Sequence, residues 1–114
     1  MKKEKKMKKA PPAAVLASVL LLFLSLPAPA AAKGMSGKAL FKKNCAGCHF
    51  SGGNVINPAY TLHKKDLRKH GVKTAEDIVR IMRRPGPGMH AFSKQMVPDA
   101  QAGKIARYIL RTFK

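Results

Sequence analysis

The pentapeptide Cys45-Ala46-Gly47-Cys48-His49 is the most informative part of this sequence. In a helical turn, residues at i and i+3 lie on the same side, so both thiols can reach one flat group. A histidine follows the second thiol directly. This C-x-x-C-H spacing is the attachment motif of covalent haem. We therefore predict that Cys45 and Cys48 form thioethers to one haem c, and that His49 is an axial ligand of its iron.

Three other chemistries use closely spaced cysteines. A thioredoxin-like C-x-x-C needs a βαβ context, which the sequence does not indicate. A zinc site needs two further ligands, which His63 and His70 could supply, although we expect both at the surface. A short-range disulfide would suit an exported protein. The histidine directly after the second cysteine favours covalent haem over all three.

The N-terminal segment has the three parts of a secretory signal peptide. Six lysines lie within the first nine residues, an apolar run follows over residues 13–26, and small residues precede Ala32. That run is shorter than the roughly 20 residues that span a bilayer. We predict a signal peptide over 1–32, cleaved after Ala32 or alternatively after Ala30, and one domain over 33–114. The alternative is an uncleaved membrane anchor.

The chain is strongly basic, with 23 Lys and Arg against 5 Asp and Glu among 114 residues. Residues 33–114 alone keep a net charge of +13. Such a charge suits nucleic acid, an anionic membrane or an acidic protein. Export argues against nucleic acid, and we predict none as a partner. The length excludes a large multidomain enzyme, and two cysteines exclude a scaffold of several disulfides.

Helix-start and helix-stop residues divide the domain into four helical segments, over residues 36–48, 63–70, 74–84 and 98–113. We predict Ser36 and Thr74 as N-caps of the first and third segments. The last segment has apolar residues at helical spacing. No alternating strand pattern is present, so we predict an all-α fold of three to five helices. A domain of this size is marginal with only its own side chains as core, and we expect the haem to complete it.

A second axial ligand is expected among the methionines and histidines. Met89 is the strongest candidate because it follows Pro85-Gly86-Pro87-Gly88, a rigid turn that can bring backbone close to a flat cofactor. The neighbouring His90 and the later Met96 are the alternatives. We interpret Met82, and also Met96 and Met35, as core-filling residues.

Taken together, these segments resemble the class I monohaem c-type cytochromes, especially the small photosynthetic-type group (cytochrome c6 or c-553). The resemblance covers essentially all of residues 33–114. It is carried by GKALFKKNCAGCH over 37–49, by GGNVINP with the following TL and KKDL over 52–67, and by GMHAF over 88–92. His90 stands where the family has proline in its ligand loop.

The resemblance implies a small cytochrome c fold of helices wrapped around one haem. The first and last helices would cross, with Gly37 and Phe41 against Ile105 and Tyr108. The backbone near Pro58 would accept the second ring hydrogen of His49 and orient its imidazole.

With His49 and Met89 filling both axial positions, we expect a one-electron carrier and no enzymatic activity. The alternatives are a haem-based ligand sensor or weak peroxidase with a labile sixth ligand, and a membrane-anchored cytochrome subunit. We expect a soluble monomer in the periplasm or an equivalent compartment. Its partners would be acidic redox proteins or membrane-bound electron-transfer complexes. They would be met by a basic collar around the haem edge, which we define as Lys42, Lys43, Arg83, Arg84 and Lys94.

Overall fold

The computed structural model describes residues 34–114, so the predicted signal peptide over 1–32 lies outside the described residues. Four α-helices and one 3₁₀ turn follow in order: α1 (Gly37–Asn44), the 3₁₀ turn (Phe50–Gly52), α2 (Lys64–Lys69), α3 (Ala75–Arg83) and α4 (Asp99–Thr112). Residues 34–114 contain no strand, which confirms the predicted all-α fold. No helix in this range has the length and apolar character needed to cross a bilayer.

Helix α4 packs against both α1 and α3. At its crossing with α1, a Cβ on Gly37 would clash with the Lys104 carbonyl and lie 3.0 Å from the Tyr108 Cβ. Glycine is therefore required for the two backbones to approach. The Phe41 ring packs 5.3 Å from the Tyr108 ring, measured between centroids. The crossing that the resemblance implied is confirmed.

The C-terminal end of the chain closes the other side of this crossing. The Phe113 ring lies 5.4 Å from the Phe41 ring, and a Cβ on Gly52 would fall 2.7 Å from the Phe113 Cγ. The Phe113 carbonyl also accepts a 2.9 Å hydrogen bond from the Lys64 N–H. Phe113 thus joins α1, the 3₁₀ turn and the start of α2.

Helix α3 begins at a capping box. The Thr74 hydroxyl accepts a hydrogen bond from the Asp77 N–H, and the Asp77 carboxylate accepts from the Thr74 N–H. Ile78 and Met82 on the same helix are buried toward α4. The predicted cap at Thr74 and the core role of Met82 are both confirmed.

Two expectations from the sequence are wrong. Helix α1 ends at Asn44 and not near Cys48, because the Phe41 carbonyl accepts from both the Cys45 and Ala46 N–H groups, which ends the regular ladder. Met35 and Met96 are 44% and 59% exposed and do not fill the core, because each lies in an irregular segment outside the helices.

Candidate haem site

A cavity of about 530 Å³ lies between the segment after α1, α3, α4 and the loop over residues 84–91. Cys45, His49 and Met89 all contribute to its wall. A smaller compartment of about 90 Å³ shares these three residues and adds Cys48 and His90. The structure therefore brings together the four residues predicted for haem attachment and ligation.

The rest of the larger cavity is mainly apolar. Side chains of α2, α3 and α4, together with the connections around α2, supply its lining: Leu62, Leu67, Val72, Ile78, Ile81, Met82, Ile105 and Ile109. Such a wall keeps water from a hydrophobic cofactor, and the volume is typical of cofactor sites. The two thiols, the imidazole and the thioether meet in the smaller compartment beside this apolar cavity. They are the donor set of haem c, so the residues present fit that group.

His49 is oriented by a hydrogen bond to the main chain. Its Nδ1 lies 2.8 Å from the Gly53 carbonyl oxygen. With the proton on Nδ1 donated to that carbonyl, Nε2 keeps its lone pair for a metal, as in other histidine ligands with an outer partner. The acceptor is Gly53, and the expectation of a carbonyl near Pro58 is wrong. The 3₁₀ turn that follows His49 folds Gly53 back onto the ring.

The two thiols differ in environment. Cys48 is exposed, whereas Cys45 is partly buried in the cavity wall, and this burial raises the pKa of the Cys45 thiol to about 11. Within residues 34–114, no group of three or more His, Cys, Asp or Glu side chains is placed to hold a metal ion. His63 packs on Phe113 and His70 stacks on Tyr60, so neither completes a zinc site with the cysteines.

Met89 is half-buried and lies on both compartments. The preceding Gly88 has a φ of +91°, and a Cβ there would come within 2.8 Å of the Ile56 Cγ2. The loop that carries Met89 thus touches the loop after the cysteines at this point. His90 lines only the smaller of the two compartments, where its ring packs 4.3 Å from that of Phe92.

Two asparagines were not predicted as part of the site, yet Asn54 and Asn57 line both compartments. The Asn54 Oδ1 accepts hydrogen bonds from the N–H groups of Ile56 (3.0 Å) and Asn57 (2.9 Å), and its Nδ2 donates to the Tyr60 carbonyl (2.9 Å). Asn54 therefore shapes the loop that forms one wall. An asparagine directly after Gly52-Gly53 is the signal for such a side-chain turn.

Comparison with known proteins agrees with this geometry. Residues 32–109 match the family model described as cytochrome c oxidase, cbb3-type, subunit III. The chain is 36% identical to cytochrome c6 of Gloeothece citriformis over 104 residues, which is 91% of this chain and 94% of the relative. It is 35% identical to cytochrome c6 of a Nostoc species over 84% of this chain and 86% of the relative.

Solved structures show the same fold. OmcF, the outer membrane cytochrome F from Geobacter sulfurreducens, is 42% identical and superposes with a TM-score of 0.68, covering 69% of this chain and all of that one. Cytochrome c6C from a Synechococcus species is 26% identical with a TM-score of 0.63, covering 68% of this chain and 93% of the other. The chain therefore belongs to the small monohaem c-type cytochromes of the c6 group, and it carries one covalently bound haem c.

Proposed function

We propose that the protein is an exported one-electron carrier whose haem is attached through Cys45 and Cys48 and ligated by His49 and Met89. The observation that carries the proposal is that these four side chains meet in the smaller compartment, and that Cys45, His49 and Met89 also line the larger apolar cavity. The haem, when bound, supplies reversible ferric–ferrous chemistry at a potential that His/Met ligation raises. Electron carriage also agrees with the family to which the chain belongs.

The protein's own residues have three tasks in this function. The Gly53 carbonyl holds the His49 ring in one tautomer and one orientation. The apolar wall from α3 and α4 keeps water away from the cofactor. Met89 would supply the second ligand to the iron, which would leave external molecules no coordination site and would disfavour enzymatic chemistry.

An absorption spectrum of the haem-loaded protein, recorded during a redox titration, tests the ligand set. We expect a low-spin ferric spectrum with the weak red-edge charge-transfer band of a Met–Fe(III) bond. Met89→Ala should lose this band, bind cyanide faster and have a lower reduction potential. Met96→Ala is the matched control and should keep the band, because Met96 is exposed.

Two outcomes would favour the other candidates. A high-spin wild-type ferric spectrum with rapid cyanide binding would indicate a ligand sensor or weak peroxidase. If His90→Ala changes the spectrum and Met89→Ala does not, His90 is the ligand.

We also propose export to the periplasm with removal of residues 1–32, and docking with acidic redox proteins or membrane-bound electron-transfer complexes. N-terminal sequencing of the protein from a periplasmic extract tests the first part: the expected new terminus is Lys33. Recovery only in detergent with residues 1–32 retained would favour a membrane-anchored subunit.

For docking, exposed lysines at the end of α1 support the proposal, since Lys42 and Lys43 directly precede the cavity residues Asn44 and Cys45. Arg83 does not belong to the basic collar, because its side chain is only 18% exposed and pairs with Asp99.

A further inference from the structure

Two hydrogen bonds close the base of the loop that carries Met89. The Phe92 N–H donates to the Met82 carbonyl at 2.8 Å, and the Phe92 carbonyl accepts from the Arg83 Nη1 at 3.0 Å. The last two residues of α3 therefore hold both backbone groups of Phe92. Residues 84–91, which include Met89, form a loop whose two ends are fixed to each other.

Arg83 extends this contact to the next segments of the chain. Its Nη1 also donates to the Ser93 carbonyl at 3.1 Å, and its Nη2 donates to the Asp99 Oδ1 at 2.8 Å. Asp99 is the first residue of α4, and its other carboxylate oxygen lies 3.1 Å from the Lys94 Nζ. A hydrogen bond from Arg83, and to a smaller extent one from Lys94, lowers the pKa of the Asp99 carboxyl. One guanidinium thus ties the end of α3 to the end of the ligand loop and to the start of α4.

The contacts require an arginine. Its planar group presents N–H donors in a fixed fork that can serve two carbonyls and a carboxylate at once, whereas a lysine ammonium is a single point of contact. The Arg83 Nε is buried and has no hydrogen-bond partner among the described residues. Burying that group unpaired is unfavourable, so the other guanidinium contacts must outweigh its cost.

We propose that Arg83 is a positioning residue that clamps the loop over residues 84–91 and thereby keeps Met89 on the haem iron. This inference rests on the proposed His49/Met89 ligation. The affinity of the ferric iron for an external ligand is proportional to the fraction of molecules in which Met89 has left. Removing the clamp increases that fraction, because the loop then opens without breaking the guanidinium contacts.

Imidazole binding to the ferric, haem-loaded protein measures this fraction. Arg83→Lys and Arg83→Gln should each raise the apparent imidazole affinity about tenfold, the effect expected when charge-assisted hydrogen bonds are lost. Arg84→Lys and Arg84→Gln are the matched controls, since Arg84 is the adjacent exposed arginine, and they should bind imidazole as the wild type does. If Arg83→Lys binds imidazole with the wild-type affinity, a positive charge alone is sufficient and the proposed clamp is wrong.

Amide hydrogen exchange in the ferrous protein separates a local clamp from general stability. We expect the Phe92 N–H to exchange faster in the Arg83 variants while the Ile105 N–H, in the centre of α4, is unchanged. Equal acceleration of both amides would mean that Arg83 only stabilises the whole fold, which would overturn the proposal.

The two proposals can fail separately. A wild-type spectrum without the Met–Fe(III) band refutes the ligation. A wild-type band combined with unchanged imidazole binding in the Arg83 variants refutes only the clamp. If those variants do not fold, Asp99→Asn decides, because it removes one anchor of the guanidinium at an exposed position. Faster Phe92 exchange in Asp99→Asn supports the clamp, and unchanged exchange contradicts it.

Discussion

At the residue scale, Gly37 fixes how closely α1 and α4 can approach. Any side chain there meets the Lys104 carbonyl and the Tyr108 Cβ, and both belong to a helix that is packed on two sides. Backbone cannot move aside as the end of a flexible side chain can. A methyl group at residue 37 must therefore separate the helices.

We expect Gly37→Ala to lower the free energy of unfolding by about 1–3 kcal/mol, the usual cost of overpacking. Urea unfolding of the haem-loaded protein, followed by circular dichroism, measures it. Gly103→Ala is the control on α4, where a Cβ meets only the end of the Arg107 side chain. It should leave stability unchanged or raise it by about 0.5–1 kcal/mol. Equal losses in both variants would contradict the close-crossing explanation.

The site residues divide into those that local sequence predicts and those that it does not. The C-x-x-C-H spacing alone predicts haem-binding roles for Cys45, Cys48 and His49. The Pro-Gly loop before Met89 predicts its role as a ligand. Gly53 as the partner of His49 depends on the 3₁₀ turn, in which Ser51 has a φ of +50° that no serine propensity signals. The role of Arg83 depends on contacts with residues nine to sixteen positions away, which no local pattern specifies.

At the scale of elements, all four helix starts and three of the four helix ends lie within one residue of their predicted positions, and only the end of α1 does not. Ser36 and Thr74 cap α1 and α3 as predicted, because capping is a bond between residues three apart. Helix α1 ends early because the Phe41 carbonyl accepts two hydrogen bonds, where residues 45–49 turn toward the cavity. That turn depends on tertiary packing, which the local sequence does not specify.

The cap of α3 makes a pH-dependent contribution to the free energy of unfolding. Hydrogen bonds from the Lys73 and Thr74 N–H groups, and from the Thr74 hydroxyl, lower the pKa of Asp77 from 3.8 to about 2. A carboxyl group whose pKa is lowered by folding stabilises the folded state. The whole of this stabilisation is present above pH 3.8, the ordinary pKa, and it is lost as the pH falls through about 2. We expect Asp77→Asn to be less stable than wild type at pH 6, and the difference to shrink on acidification toward pH 3.

Urea unfolding at several pH values between 6 and 3 checks this expectation. Glu76→Gln changes the neighbouring exposed acid in the same helical turn. Between pH 6 and 3, its free energy of unfolding should change with pH as that of the wild type does. A difference between Asp77→Asn and wild type that stays constant with pH would show that the carboxylate charge is not involved.

At the scale of the whole molecule, the haem is part of the core. Without the haem, the apolar side chains that line the cavity of about 530 Å³ would face water, and a domain of this size has little other apolar burial to stabilise it. We therefore expect the Cys45→Ala/Cys48→Ala double variant, prepared without haem, to lose most of its helical circular dichroism. Cooperative unfolding of that haem-free variant with wild-type helicity would contradict this prediction.

Net charge also acts at this scale. Replacing Lys42 and Lys43 with glutamate should slow oxidation by the anion hexacyanoferrate(III) at low ionic strength and accelerate oxidation by the cation tris(1,10-phenanthroline)cobalt(III), because the electrostatic potential at the cavity edge becomes less positive. Salt should reduce both effects. The Lys73→Glu/Lys114→Glu double variant carries the same net charge and should respond less. Equal responses would mean that total charge, and not the basic collar, controls the rates.

The packing of Phe113 also bears on the order of events during folding. This ring contacts Phe41 and Gly52, which lie on either side of the cysteine segment and far from Phe113 in the sequence. Closing so long a stretch of chain costs conformational entropy, so we expect these contacts to form late in folding. Cys45 and Cys48 would then stay accessible for haem attachment until the Phe113 ring has packed.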